Sequence, residues 1–199
     1  MKCPRVRGFT IAEVLIYSVL SLLIVSLLIG FFLANKRLGE KGDAETELFR
    51  SGLEALRQIQ ILTGRSNEKG IVVSPRGEML AVRTVASSGP KGANWSDDIV
   101  FFWQDDKLGL IKGWLSSTEF GQDDFGIPAL AQDDFDKALQ ELRKSKQFKV
   151  IGAKCSHFQV EHPKAREIKV QLELEARSHG DKIEKAQRRE TLLIPGEEI

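Results

Sequence analysis

Gly8, Phe9 and Glu13 sit at a spacing that permits one cleavage and one pairing. Proteolysis after Gly8 would place a new α-ammonium on Phe9, four residues before Glu13 and therefore on the same helical face. At about 4 Å such a pair is worth on the order of 4 kcal/mol at an intermediate dielectric. Glu13 needs a partner of this kind, because it opens an apolar run in which an unpaired carboxylate costs about 2.5–3.5 kcal/mol. The partner is the chain's own new terminus or that of a neighbour.

Other reactive types are scattered. Cys155 and His157 are two residues apart, but a metal site requires three or four converging ligands, and His162 and His179 are the other histidines. We expect no metal and no cofactor. Acidic pairs recur at Asp97-Asp98, Asp105-Asp106, Asp123-Asp124 and Asp133-Asp134 without the pattern of a calcium loop, and turns and helix caps account for most of them. No serine, histidine and acid arrangement has a nucleophile context, and no glycine-rich phosphate loop follows a strand, so the chain reads as non-enzymatic. Trp95, Trp103, Trp114, Phe101, Phe102, Phe120 and Phe125 gather in the middle of the chain. Strand periodicity favours a core role for them, and an exposed Trp95 in a loop would favour a contact patch.

The element that must carry Glu13 is an apolar helix. From Val14 to Leu33 about twenty residues pass without an ionisable group other than the Tyr17 phenol, the length needed to cross a bilayer. A cleaved secretory signal would have a shorter apolar core and a small-residue site after it, so the span is expected to stay attached.

The basic leader ending in Gly8, the sequence Phe9-Thr10-Ile11-Ala12-Glu13-Val14-Leu15-Ile16 and the apolar helix together resemble the processing motif of type IV pilins and type II secretion pseudopilins. The resemblance implies cleavage after Gly8 by a membrane prepilin peptidase, N-methylation of Phe9, and engagement of the Phe9 amine of an adjacent subunit by Glu13 during assembly. It covers about the first thirty residues. Where many major pilins carry a proline in this helix, Gly30 is the one candidate for a bend.

Charge and cysteine content fit such a chain. The 29 basic and 28 acidic side chains give +1, and loss of Lys2, Arg5 and Arg7 with the leader gives −2. Nothing in that balance points to nucleic acid. Lys182, Lys185, Arg188 and Arg189 are the nearest approach to a basic strip, and Glu184 and Glu190 partly answer them. Cys3 lies in the leader, which leaves Cys155 alone, so the soluble part must be held by its core rather than by a disulfide. Lys36, Arg37 and Lys41 follow the span and weaken the charge asymmetry, so the orientation, N-terminus cytoplasmic and globular part extracytoplasmic, follows from the resemblance.

The organisation expected is a leader over 1–8, a transmembrane and assembly helix over 9–34, a helix extension over 35–64 and a globular domain over 65–199. Asn35, Gly39 and Gly42 predict loosened helix over 35–44. Leu48, Phe49, Gly52, Leu53, Leu56 and Ile59 then form an apolar stripe, and Gly64 ends the helix. Strands are expected at 71–73, 79–85, 99–103, 107–115, 148–153, 157–161, 168–176 and about 186–194, the later ones as a meander. Loops are expected at 87–92 and 116–132. Asp133 is expected to cap a short helix through about Lys144, set on the sheet edge or over a loop. The fold class is α+β: a long N-terminal helix, its first half in the membrane, packed on an antiparallel sheet with a small inserted helix. That layout resembles the J-type and W-type minor pseudopilins more than a major pilin with a C-terminal disulfide loop.

The function expected is that of a minor pilin or pseudopilin, anchored once in the inner membrane and built into a pilus or secretion pseudopilus as an initiation or tip subunit. Its partners would be other pilin or pseudopilin subunits, the peptidase, membrane lipid and an inner-membrane assembly platform. The alternatives are a signal-anchored extracytoplasmic enzyme or binding protein that matches the motif by chance, and, within the same class, a DNA-uptake pseudopilus component.

Overall fold

The computed structural model describes residues 10–89, 92–116, 118, 132–152, 154–164, 166–177 and 183–194. Helix α1 spans Ile11–Thr63. The chain divides into two compact units, residues 1–43 and 44–199.

In the first unit the side chains from Thr10 to Gly39 are all exposed. The hydroxyls of Ser18 and Ser26 fold back onto the helix, donating to the carbonyls of Leu15 at 2.9 Å and Leu22 at 2.8 Å. No polar group of these serines is left needing water. The expected loosening over 35–44 does not occur, and helix continues through it. Gly39 and Gly42 each disfavour helix by about 1 kcal/mol, yet extending an existing helix adds one hydrogen bond per residue fixed. Lys36 and Glu40, one turn apart at 3.9 Å, add support there.

In the second unit α1 buries Ala44, Leu48, Gly52, Ala55, Leu56, Ile59 and Thr63. The expected stripe is therefore partly displaced: Phe49 and Leu53 stay 49% and 46% exposed. Gly52 lets the helix come close to the strand below it, since a Cβ there would lie 2.6 Å from Leu174 Cδ1. The helix stops at Thr63, and the Gly64 N–H donates to Gln60 O at 2.9 Å. A short 3₁₀ turn over Glu68–Gly70 leads into the strands.

Strands β1 (Ile71–Val73), β2 (Met79–Gly89), β3 (Gly92–Asp105), β4 (Gly109–Ser116) and β5 (Phe148–Gly152) form one antiparallel sheet in chain order. Strands β6 (Cys155–Lys164), β7 (Glu167–Arg177) and β8 (Ile183–Leu193) form a second antiparallel sheet, also in order. The fold is α+β with two sheets where one was expected. Helix α2 spans Gln132–Ser145.

Alternation sorts the first sheet into two faces. Leu80, Val82, Phe102 and Leu110 join a core with Leu48, Ala55, Leu56 and Ile59 of α1 and with Phe158, Val170, Leu172 and Leu174 of the second sheet. Met79, Ala81, Phe101, Trp103, Ile111 and Leu115 face the other way, against Phe135, Ala138 and Leu142 of α2. Helix α2 thus covers a sheet face, not an edge or a loop. Its apolar stripe needed a full face to bury, and β3 and β4 offer one.

The loop expected at 87–92 is instead largely strand. Ser87 pairs with Asn94 and Ser88 with Ala93, and Asn94 Nδ2 donates to Ser87 Oγ at 2.9 Å. Between the strands expected at 157–161 and 168–176, His162, Pro163 and Lys164 continue β6, where the register shifts between Glu161 and Lys164, a place that tolerates proline. Of the loop expected at 116–132, residues 117 and 119–131 lie outside the described residues, as do residues 178–182. The two sheets are tied through Gly77, whose carbonyl accepts from Val160 N–H at 2.8 Å. Gly77 has a φ of +73°, and a Cβ on it would meet that region at 2.8 Å from Val160 O.

Candidate assembly site on the N-terminal helix

Thr10 and Glu13 bind each other at the start of α1. The Thr10 backbone N–H donates to Glu13 Oε2 at 2.8 Å, and the Thr10 hydroxyl donates to the same oxygen at 3.0 Å. In return the Glu13 N–H donates to Thr10 Oγ1 at 3.3 Å. This is a capping box, in which a threonine and a glutamate three residues later satisfy amides that the first helical turn leaves without partners. A carboxylate near a helix N-terminus also meets the positive end of the helix dipole.

Sequence reasoning assigned Glu13 a role and gave Thr10 none. The signal was present, since Thr-x-x-Glu directly before an apolar run marks a helix start. Gly8 and Phe9 lie outside the described residues, so the donors found at Glu13 are the neutral groups of Thr10. Beyond Glu13, α1 is long and apolar enough to cross a membrane, and no residue of its most apolar stretch is buried. From Val14 to Leu33 the helix therefore offers a continuous apolar surface, with the Glu13 carboxylate at its head and the Tyr17 phenol as its other ionisable group.

The other candidate groups do not converge. Cys155 is buried, and its thiol donates to His157 O at 3.2 Å while the His157 side chain is exposed. Burial pushes the thiol up to about 11, opposed by the contact with His157 and reinforced by Glu173. Among the described residues no three His, Cys, Asp or Glu side chains come together as a metal site would need; His179 is not among them.

Of the described acidic pairs, Asp105-Asp106 lies at a turn and Asp133-Asp134 at a helix end, whereas Asp97-Asp98 lies within β3. Asp105 Oδ1 accepts from the Lys107 and Leu108 amides at 3.0 and 3.2 Å, closing the β3–β4 turn. Its Oδ2 accepts from Arg143 Nη2 at 3.1 Å, which ties the last turn of α2 to that hairpin. The Lys107 amide is the main reason its carboxyl is held below the ordinary range, against the opposing effect of burial. Asp133 and Asp134 lie inside the first turn of α2 rather than ahead of it. Asp123 and Asp124 are outside the described residues.

Phe101, Phe102 and Trp103 are fully core, and Trp95 is half-buried in β3, not exposed in a loop. The Trp95 ring lies over Gly70, where a Cβ could not fit. Phe120 and Phe125 are outside the described residues. The basic strip breaks up. Lys185 bonds Glu175 at 2.6 Å on the solvent face of β8, whereas Arg188 lies 4.4 Å above the Phe49 ring on the face towards α1. Arg189, next along the strand, points opposite to Arg188. Lys182 is outside the described residues.

Comparison with protein-family models, with curated proteins and with solved structures finds no match.

Proposed function

We propose that this chain is a minor pilin or pseudopilin: a structural subunit cleaved after Gly8, methylated on the Phe9 amine, held once in the inner membrane with its globular part outside, and drawn into a filament or its tip. Its neighbours are other such subunits, and a membrane platform with an ATPase supplies the energy, because the chain has no nucleotide motif of its own. What carries the reading is the head of α1, where Glu13 is the one acid between Thr10 and Gly39, a stretch exposed throughout, and stands four residues after Phe9. A globular part built on two apolar cores agrees with a role in assembly.

In this reading the membrane helix does two jobs in turn. Its apolar surface is solvated by lipid while the subunit waits, and by neighbouring helices once it is assembled. The ammonium of a neighbour's Phe9 supplies Glu13 with a charge partner as water and headgroups are left behind. Register follows, because only one axial offset brings the two groups together.

The deciding measurement is the intact mass of the protein purified from membranes of its own host, with and without the prepilin peptidase. The expected result is a chain beginning at Phe9 with one added methyl group, seen only when the peptidase is present. A chain beginning at Met1 in both backgrounds would overturn the reading.

A further inference from the structure

Lys112 and Trp114 are two residues apart on β4 and so project from one face of the five-stranded sheet. Leu110 on the same face enters the core shared with α1, but that cover ends before Trp114, which is 39% exposed. Lys112 is directly opposite Lys149 of β5, and Trp114 is opposite Val100 of β3. Like charges facing each other across two strands destabilise a sheet. Neither lysine has a carboxylate partner among the described residues. Burial and, after it, the charge of Lys149 both make the Lys112 ammonium easier to deprotonate than usual. A lysine on an edge strand such as β5 discourages edge-to-edge pairing, which accounts for Lys149. It does not account for Lys112, half-buried on the strand inside that edge.

We propose that Lys112, Lys149 and Trp114 form a docking surface for an acidic segment of another protein chain, whose carboxylates meet the two ammonium groups while an apolar side chain lies on the indole. The inference goes beyond the filament reading and does not depend on it. Charge complementarity selects the occupant: two adjacent cations with no counter-charge among the described residues call for paired carboxylates, and the exposed ring beside them calls for an apolar neighbour. A nucleic acid fits less well, since its phosphates need a longer cationic track.

The test uses the full chain in detergent micelles and the capped peptide Asp-Asp-Leu-Asp-Asp, followed by tryptophan emission and calorimetry. The expected result is saturable binding that weakens as salt rises and is absent with Asn-Asn-Leu-Asn-Asn. Lys112→Met and Lys149→Met should each weaken binding by about fivefold or more, roughly the loss of one charge-assisted contact. Lys149→Met should also raise the melting temperature by about 1–2 °C by relieving the repulsion, so lost binding cannot be ascribed to a damaged fold. Binding indifferent to both substitutions, or no saturable binding by the parent chain, would overturn the proposal. Equal binding of an oligothymidylate, lost in the same variants, would overturn it in favour of a general anion contact. A gain of fivefold or more in the Asp123→Asn/Asp124→Asn chain would overturn the second-chain occupant, because the competing carboxylates would then belong to this chain.

Discussion

The Glu13 carboxylate accepts both the backbone N–H and the hydroxyl of Thr10 through a single oxygen, Oε2. Its other oxygen carries no hydrogen bond to a described residue. Glu13 can therefore begin the helix and still present an acceptor outward. Capping and subunit pairing need not compete for the same atom.

This separation gives two variants with different outcomes. Glu13→Ala removes both functions, and we expect cleavage after Gly8 to proceed while incorporation into filaments falls. Thr10→Ala removes only the cap, at about 1 kcal/mol of local helix stability, and should leave incorporation close to that of the parent. Immunoblots of membrane and sheared-filament fractions measure both, and normal recruitment of Glu13→Ala would refute the pairing role.

Gly77 links the two sheets in a backbone conformation that side chains resist, with the Val160 carbonyl where a Cβ would go. Backbone cannot swing aside as the tip of a side chain can. Gly77→Ala should destabilise the globular part by about 2 kcal/mol or more, combining the left-handed penalty with loss of the Val160 contact. Urea unfolding followed by tryptophan fluorescence would show it, and an unchanged midpoint would refute it.

Asp105 gives stability a defined acid limb. Its carboxyl is held below the ordinary value of about 3.9, so the folded state binds a proton there less readily than the unfolded chain does. Its contribution is full above about pH 4 and is lost as the pH falls through the lower folded value. Asp105→Asn should flatten that limb. At pH 7 it should cost under about 1 kcal/mol, because the Arg143 pair is largely solvated. Thermal melts of both proteins between about pH 2.5 and 7 check the sign, and parallel curves would refute it.

Much of this architecture follows from pattern alone. The alternation of Ile168, Val170, Leu172, Leu174 and Ala176 with charged and polar neighbours marks β7, and all five are buried. Periodicity, however, says which residues share a face and not how wide the covered face is. For that reason Phe49 and Leu53 read as core from the sequence yet remain half-exposed, whereas Ala44 and Ala55, too small to stand out, are buried. Composition misled at 87–92, where serines and glycines read as loop although their backbones pair as strand. It misled again at Gly39 and Gly42, because helix continuation is cooperative and local propensity is not. At the head of α1 the functional reading of Glu13 overshadowed the local one, and Thr10 was passed over.

Within residues 44–199, Ala44, Leu48, Ala55, Leu56 and Ile59 of α1 are packed into the larger core. Force applied to this part of the helix is thus delivered to packed side chains and shared through Gly52 and Leu174 with the strands of the second sheet. Pulling on residues 44–63 would have to shear that contact before any loop could pay out, so within this unit the helix gives way with the core and not ahead of it.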